Sequence, residues 1–331
     1  MTRLSQADAR ALAAAVLVRH GMPASHAESV AAHLVDAMVT GHAFAGLPRV
    51  PAIVAELVQK GPGGPIRVTR QTPVSATIDG GDVNGYVVSL VAADKAIEIA
   101  NASGIAVVSA CNTWFSGRLA YYVERIARAG FVAMHTANTA ARVAPFGGAD
   151  RILGTNPMAF AFPCGGEPVI LDIGTSGVTW GEALLRQATG RQLDSGVAVD
   201  AEGRETTDPA AALAGALLTW GGARGSCLAF AAQLFGILAG SDPVLTETRN
   251  SGFFFLAFKP DLLMPADEFA ARIASLRETV RRSRPAAGCA GVRLPGDRSM
   301  QIRRKHGGDD VELDPIVHGR LLALAGARRS T

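Results

Sequence analysis

Val74-Ser-Ala-Thr-Ile-Asp79, the turn Gly80-Gly81-Asp82, a helical run over 86–102 and the segment Ile105-Ala-Val-Val-Ser-Ala110 decide the fold. The first segment alternates like a half-buried strand and ends in a turn cluster. The last is short, continuous and apolar, the pattern of a buried strand. Strand, helix and strand in that order argue for an α/β core. The alternation continues with a helix over 117–129 and a strand over Phe131–Thr136. Met158–Pro163 and Val169–Asp172 then follow close together. They read as an antiparallel pair joined across Cys164-Gly-Gly-Glu167, so the sheet is expected to be mixed.

Outward from this core the periods are helical. Ser5 is placed to cap a helix over 5–19, with Asp8 in its first turn and Leu12, Val16 and Leu17 as its stripe. Gly21-Met-Pro stops it. A second helix starts near Ser25 and carries Ala31, Leu34, Val35 and Met38. A third covers Pro51–Gln59 and ends at Gly61-Pro-Gly-Gly-Pro. Residues 1–70 are therefore expected to form a helical cap that packs with a closing helix over 314–325, around a mixed-sheet core over 71–313. Within that core, 209–218, 225–240 and 266–284 read as helices and Gly252–Phe258 as a strand. The last few residues are expected to fray.

The 331 residues are 48% hydrophobic and 18% charged, a core-rich composition rather than a disordered one. A net charge of +3 with only short basic clusters, and three Tyr with three Trp, give no groove for nucleic acid. Cys111, Cys164, Cys227 and Cys289 are widely spaced, which fits a reducing cytoplasm and neither a zinc site nor a disulfide framework. No signal peptide is visible, and no apolar run reaches the roughly 18 residues of a membrane span. Among the histidines His20, His26, His33, His135, His306 and His318, only His26 and His33 share a helix face, and both read as ordinary helix residues. No metal is expected. A dinucleotide fingerprint of the GxGxxG kind is missing, so the usual Rossmann reading does not apply.

A series of short phrases carries a resemblance. They are Thr40-Gly-His-Ala-Phe-Ala-Gly-Leu-Pro-Arg49, Val143-Ala-Pro-Phe-Gly-Gly148, Leu153-Gly-Thr-Asn-Pro157, Leu171-Asp-Ile-Gly-Thr-Ser176, Thr207-Asp-Pro209, Gly221-Gly-Ala-Arg-Gly225 and Leu294-Pro-Gly-Asp297. Their order and spacing resemble the malate/L-lactate dehydrogenase family, which includes Δ1-piperideine-2-carboxylate and diketogulonate reductases. The resemblance implies a three-layer α/β/α fold around a mixed, non-Rossmann sheet. It also implies a homodimer, a small-molecule substrate, and NADPH or NADH held near the partner subunit. The cofactor loops it implies are Phe115, Ser116 and Gly117; Thr155 and Asn156; Ser176; Gly222, Ala223 and Arg224; and Pro295, Gly296, Asp297 and Arg298. Trp114-Phe-Ser-Gly-Arg118 is expected to open a helix whose amides suit a phosphate or carboxylate. Arg224 and Arg298 suit phosphate oxygens.

The family signature at the end of the second helix is GHxSHGLxR, where Ser and His supply a proton and Arg holds the substrate carboxylate. This chain places Phe44 and Ala45 where that Ser and His belong, and keeps Arg49. A ketone accepting hydride becomes an alkoxide that needs a proton, and a positioned acid contributes about 10²–10⁴-fold to such a step. A protonated imine carries its proton already. The departure therefore shifts the expected reaction toward NAD(P)H-dependent reduction of a small 2-imino acid, such as piperideine- or pyrroline-2-carboxylate. Glu182 is the candidate anionic partner and His42 the candidate replacement acid. Trp114 and Phe44 are expected to wall the substrate, and Arg118 to offer a second carboxylate contact beside Arg49. Two alternatives stay open: a 2-oxo/2-hydroxy-acid dehydrogenase with a relocated proton donor, and a catalytically inactive member with a binding role. Glu182 also reads as a plain helix N-terminal residue favoured by the macrodipole.

Overall fold

The computed structural model describes residues 1–305 and 310–326. In chain order it begins with β1 (Thr2–Ser5), α1 (Gln6–Arg19), α2 (Ala24–Val39), α3 (Val50–Lys60), β2 (Arg67–Thr72), β3 (Ser75–Val83) and α4 (Gly85–Ser103). There follow β4 (Ile105–Thr113), α5 (Ala120–Arg128), β5 (Val132–Ala137), β6 (Val143–Ala144), β7 (Met158–Phe162), β8 (Val169–Ile173) and α6 (Trp180–Ala188). The remainder is β9 (Ala198–Val199), α7 (Pro209–Ala214), β10 (Ala216–Leu218), α8 (Ala223–Leu238), β11 (Phe253–Phe258), α9 (Ala266–Arg282), α10 (Asp297–Lys305), β12 (Asp310–Leu313) and α11 (Pro315–Ala325). His306 and the expected frayed end lie outside the described residues. The chain forms two compact units, one of residues 1–63, 162–171 and 260–331, the other of 64–161 and 172–259.

The first unit is mostly helical. Ser5 caps α1 by accepting the Asp8 amide at 3.0 Å. Ala9, Ala13, Val16 and Leu17 of α1, Leu34 of α2, Ile53 of α3 and Leu321 of α11 are fully buried. β1 pairs antiparallel with β12, Thr2 facing Leu313 and Ser5 facing Asp310. Asp314 caps α11, accepting the Ile316 amide at 2.7 Å.

The second unit carries most of the seven-stranded sheet of order β2-β3-β4-β11-β5-β7-β8. β3 and β4 run parallel, bridged by α4, while the β2–β3, β4–β11, β11–β5 and β5–β7 pairs are antiparallel. The sheet is mixed, as the sequence predicts. Successive strand residues face opposite sides, and β11 makes the layers visible. Phe255 meets Tyr122 of α5 at 6.5 Å, while its neighbour Phe254 stacks on Phe235 of α8 at 4.5 Å. Helices therefore cover both faces of the sheet.

Three departures from the sequence expectations have local causes. The helix expected from 117 starts at Ala120, because Gly117 takes φ +75°. The helix expected over 209–218 stops at Ala214 and becomes strand β10, since Gly215 lies too close to Val199 and Asp200 for a side chain. α10 is the third, a short helix opened by Asp297, while α6 bears out the helix-start reading of Glu182, with Thr179 accepting the Glu182 amide at 3.1 Å.

Candidate active site

In the first unit, α2 is closed by Thr40, whose hydroxyl donates to the Asp36 carbonyl at 2.7 Å. Gly41 turns the chain at φ +79°, and the His42 amide returns to the Ala37 carbonyl at 2.8 Å. Two short 3-10 turns, Ala43–Ala45 and Leu47–Arg49, then lead into α3. Ala45 is 7% exposed and Leu47 is fully buried, so both anchor the loop. Phe44, on the same turn, is 42% exposed. Arg49 is half-buried at the entry to α3.

The Pro295–Arg298 loop belongs to the same unit. Gly296 takes φ +80° beside the Ile170 carbonyl, leaving a Cβ only 3.1 Å from that oxygen. Asp297 opens α10, and its carboxylate accepts Arg281 at 3.0 Å and the Leu294 amide at 3.2 Å. Both oxygens thus have a partner within the chain. Arg298 is exposed. One turn further, α10 lies on the end of α2. Arg303 pairs with Asp36 at 2.6 Å, Ile302 covers Gly41, and Ser299 Oγ is 3.0 Å from His42 Nε2.

In the second unit, the loop after β4 holds Trp114–Arg118. Trp114 is fully buried and its indole N–H donates to the Asp82 carbonyl at 3.0 Å. It cannot stack on a nicotinamide or wall a substrate, so that expectation is corrected. Its packing is set by Gly85, where a Cβ would overlap the Trp114 carbonyl. Phe115 packs edge-on against Trp114 at 5.1 Å and Tyr86 at 6.4 Å. Ser116 is 4% exposed, its carbonyl accepting the Tyr122 hydroxyl at 2.6 Å.

The α5 amide end does not await a ligand anion. Asp172 Oδ2 accepts the Ala120 amide at 2.9 Å, and Arg118 acts electrostatically on the same carboxylate. The anion expected at this helix start is supplied by the chain itself.

Asn156, another expected cofactor residue, is fully buried at φ +34°. Its amide donates to Gln233 Oε1 and the Ala229 carbonyl, and its oxygen accepts the Thr139 amide at 3.2 Å. The side chain is committed to the fold, correcting a direct cofactor role. Thr155 acts through its backbone, its carbonyl accepting the Thr175 amide at 3.0 Å and hydroxyl at 2.9 Å. This holds Ser176 in a bridge with Thr219. Among the described residues, the buried Ser176 Oγ has no hydrogen-bond partner.

A cavity of about 630 Å³ opens beside that bridge, lined by Phe146, Gly148, Gly177, Val197, Trp220 and Gly222 among others. Phe146 is 67% and Trp220 38% exposed, and Gly221 and Gly222 take φ +61° and +60°. Gly222 precedes α8, whose first residues are Ala223 and the exposed Arg224. Exposed aromatic rings, close-approach glycines, a helix amino end and a buried unmatched hydroxyl fit a flat, phosphorylated nicotinamide cofactor. Phe146 and Trp220 were missed as site candidates, although Phe146 lies within the quoted Val143–Gly148 phrase. Glu182 sits in the first turn of α6, paired with Arg186 at 2.9 Å, and Arg186 also reaches Asp194 at 3.3 Å.

This fold and these loops define an NAD(P)-dependent oxidoreductase built outside the Rossmann plan. The pattern of the malate/L-lactate dehydrogenase family matches residues 4–322, and the chain belongs to that family. It is 31% identical to the L-sulfolactate dehydrogenase of Methanocaldococcus jannaschii over 317 residues, 92% of this chain and 91% of the relative. It is also 31% identical to the Delta(1)-pyrroline-2-carboxylate/Delta(1)-piperideine-2-carboxylate reductase of Pseudomonas aeruginosa, covering 98% and 99% of the two chains. The solved sulfolactate dehydrogenase from M. jannaschii superposes with a TM-score of 0.89 at 30% identity, covering 99% of this chain and 98% of that one. The Δ1-piperideine-2-carboxylate reductase from Pseudomonas syringae gives 0.86 at 26% identity, covering 98% and 100%. Among the described residues, no helix is long and apolar enough to cross a membrane.

Proposed function

We propose that this enzyme reduces a small 2-imino acid, cyclic or N-substituted, of the pyrroline- or piperideine-2-carboxylate type. One observation carries the reading: Phe44 and Ala45 stand in the proton-donor positions while Arg49 is kept, and Ala45 is buried. An iminium needs no proton after hydride arrives, so the missing pair harms its reduction less than that of a ketone. Relatives named as reductases of such imines support the same substrate class.

In this reading Arg49 holds the substrate carboxylate by a charge-assisted, bidentate contact. His42, held by its backbone hydrogen bond to Ala37 and its ring contact with Ser299, keeps the imine nitrogen protonated. Phe44 presents an apolar ring to the substrate's carbon skeleton. The reduced nicotinamide, NADPH or NADH, supplies the hydride. Ser176, Gly222 and Arg224 bind that cofactor, and Arg118 with Asp172 fixes the loop that follows β4. Glu182, already paired with Arg186, serves its helix and shapes the charge of the second unit.

The test is a turnover comparison with each reduced nicotinamide. Piperideine- and pyrroline-2-carboxylate are set against pyruvate, oxaloacetate and sulfopyruvate. The imines are expected to be reduced with kcat/KM at least about 100-fold above the keto acids, the scale of a missing acid. Turnover of keto acids alone ends the imine reading.

A further inference from the structure

A serine and a histidine meet in the first unit away from positions 44 and 45. Ser299 Oγ lies 3.0 Å from His42 Nε2, although 257 positions separate the two residues. The contact is held on both sides. The His42 N–H donates to the Ala37 carbonyl, and α10 is fixed by Arg303 on Asp36 and Ile302 on Gly41. Ser299, Ile302 and Arg303 share one helix face through their spacing of three and four. Gly41 takes φ +79°, a conformation that strains any other residue, and Ile302 packs over it.

We propose that Ser299 is the positioning residue of His42, holding the imidazole that keeps the substrate imine protonated. This rests on the reading of His42 as the proton source. A serine hydroxyl both donates and accepts, so it serves either state of the ring. It accepts from Nε2–H of the imidazolium and donates to the bare Nε2 of the neutral ring. The bond to the charged form is the stronger, so Ser299 favours the imidazolium. In the step itself one imidazolium N–H bond breaks and one N–H bond forms on the substrate imine. The ring is left neutral, the iminium then takes the hydride, and solvent returns a proton to the ring.

The experiment follows the His42 ring in the whole enzyme by nitrogen NMR, assigned with His42→Gln, beside pH profiles of kcat with whichever substrate is turned over. Ser299→Ala is expected to lower the His42 pKa. Because the acid must be protonated to act, the fall of kcat with rising pH then moves to lower pH. At neutral pH kcat drops about tenfold with KM unchanged, the scale of one hydrogen bond to a charged group. Ser299→Thr restores both ring signal and profile, and also serves if the alanine variant folds poorly. His42→Gln removes the alkaline limb. An unmoved His42 titration and an unmoved kcat in Ser299→Ala overturn the proposal. If the ring signal shifts but His42→Gln retains its profile, the proposal also falls, and the fault then lies with His42 as donor. Substrate preference is read separately, so failure of the imine reading leaves its own mark.

Discussion

The Asn156 side-chain amide donates to Gln233 Oε1 at 2.8 Å and to the Ala229 carbonyl at 2.9 Å, tying the turn before β7 to α8. Gln233 in turn donates to the Pro243 carbonyl at 2.8 Å. A buried network of this kind costs most when one member is removed, because its partners stay buried without bonds. Asn156→Ala is expected to lower stability by about 3 kcal/mol, with the loss of an asparagine suited to positive φ adding to the effect. Urea unfolding reads the change. A loss of cofactor affinity with unchanged stability would return Asn156 to the ligand.

Arg49→Ala removes the carboxylate contact without disturbing the buried anchors Ala45 and Leu47. KM for the acid substrate is expected to rise about 10- to 100-fold, with the unfolding midpoint little changed. Steady-state kinetics with the acid and its methyl ester check it. Equal KM values for acid and ester in the native enzyme would remove Arg49 from the site.

Restoring the family signature is a direct test of the chemical argument. Phe44→Ser with Ala45→His is expected to raise keto-acid kcat/KM by about 100-fold while leaving imine reduction within a few-fold. Ala45 is buried, so thermal unfolding of the double variant must be followed alongside. No gain on keto acids in a folded variant would show that the missing pair does not set substrate choice.

His135 provides a pH test of the core. It is fully buried, stacked on Phe255 at 3.8 Å, and its Nδ1 lies 3.0 Å from the Phe254 carbonyl. Burial pushes its pKa down to about 3, against a partial rise from that carbonyl bond. The unfolded chain therefore binds a proton that the folded chain refuses between about pH 6.5 and 3. Stability falls as pH drops through that window, by up to about 1.4 kcal/mol per pH unit from this group. His135→Leu is expected to flatten that slope in denaturation curves taken from pH 7 to 4. A slope identical to the native protein's would mean the ring is charged inside.

Helix α8 presents an apolar face to solvent in the single chain. Phe230 is 57%, Leu234 50% and Leu238 72% exposed, at a spacing of four that stacks them on one side. Such a stripe is expected to be covered by a second copy. Leu234→Glu should convert a dimer into a monomer by light scattering on a sizing column. A native protein already monomeric at micromolar concentration would refute the expectation.

Local patterns were legible and distant pairings were not. The β3–α4–β4 unit follows from alternation around 74–110, and the Ser5 cap from its spacing to Asp8. The Arg49 loop follows from a short phrase, but Ser299 does not, because nothing near it signals a partner at position 42. Trp114 reads as a ligand wall because the resemblance puts its loop at the substrate. Only the notch at Gly85, arriving from another element, carries it into the core. Asp172 likewise gives no sign that its carboxylate will cap a helix beginning 52 positions earlier.

The β1–β12 pairing joins Thr2–Ser5 to Asp310–Leu313. A ribosome makes the first partner long before the second. The β1 edge must therefore wait unpaired until β12 has emerged, and the part of α1 that meets α11 waits with it. The sheet pairs from β2 to β11 close within residues already made. Chaperone dependence during synthesis should accordingly concentrate on the amino-terminal helices.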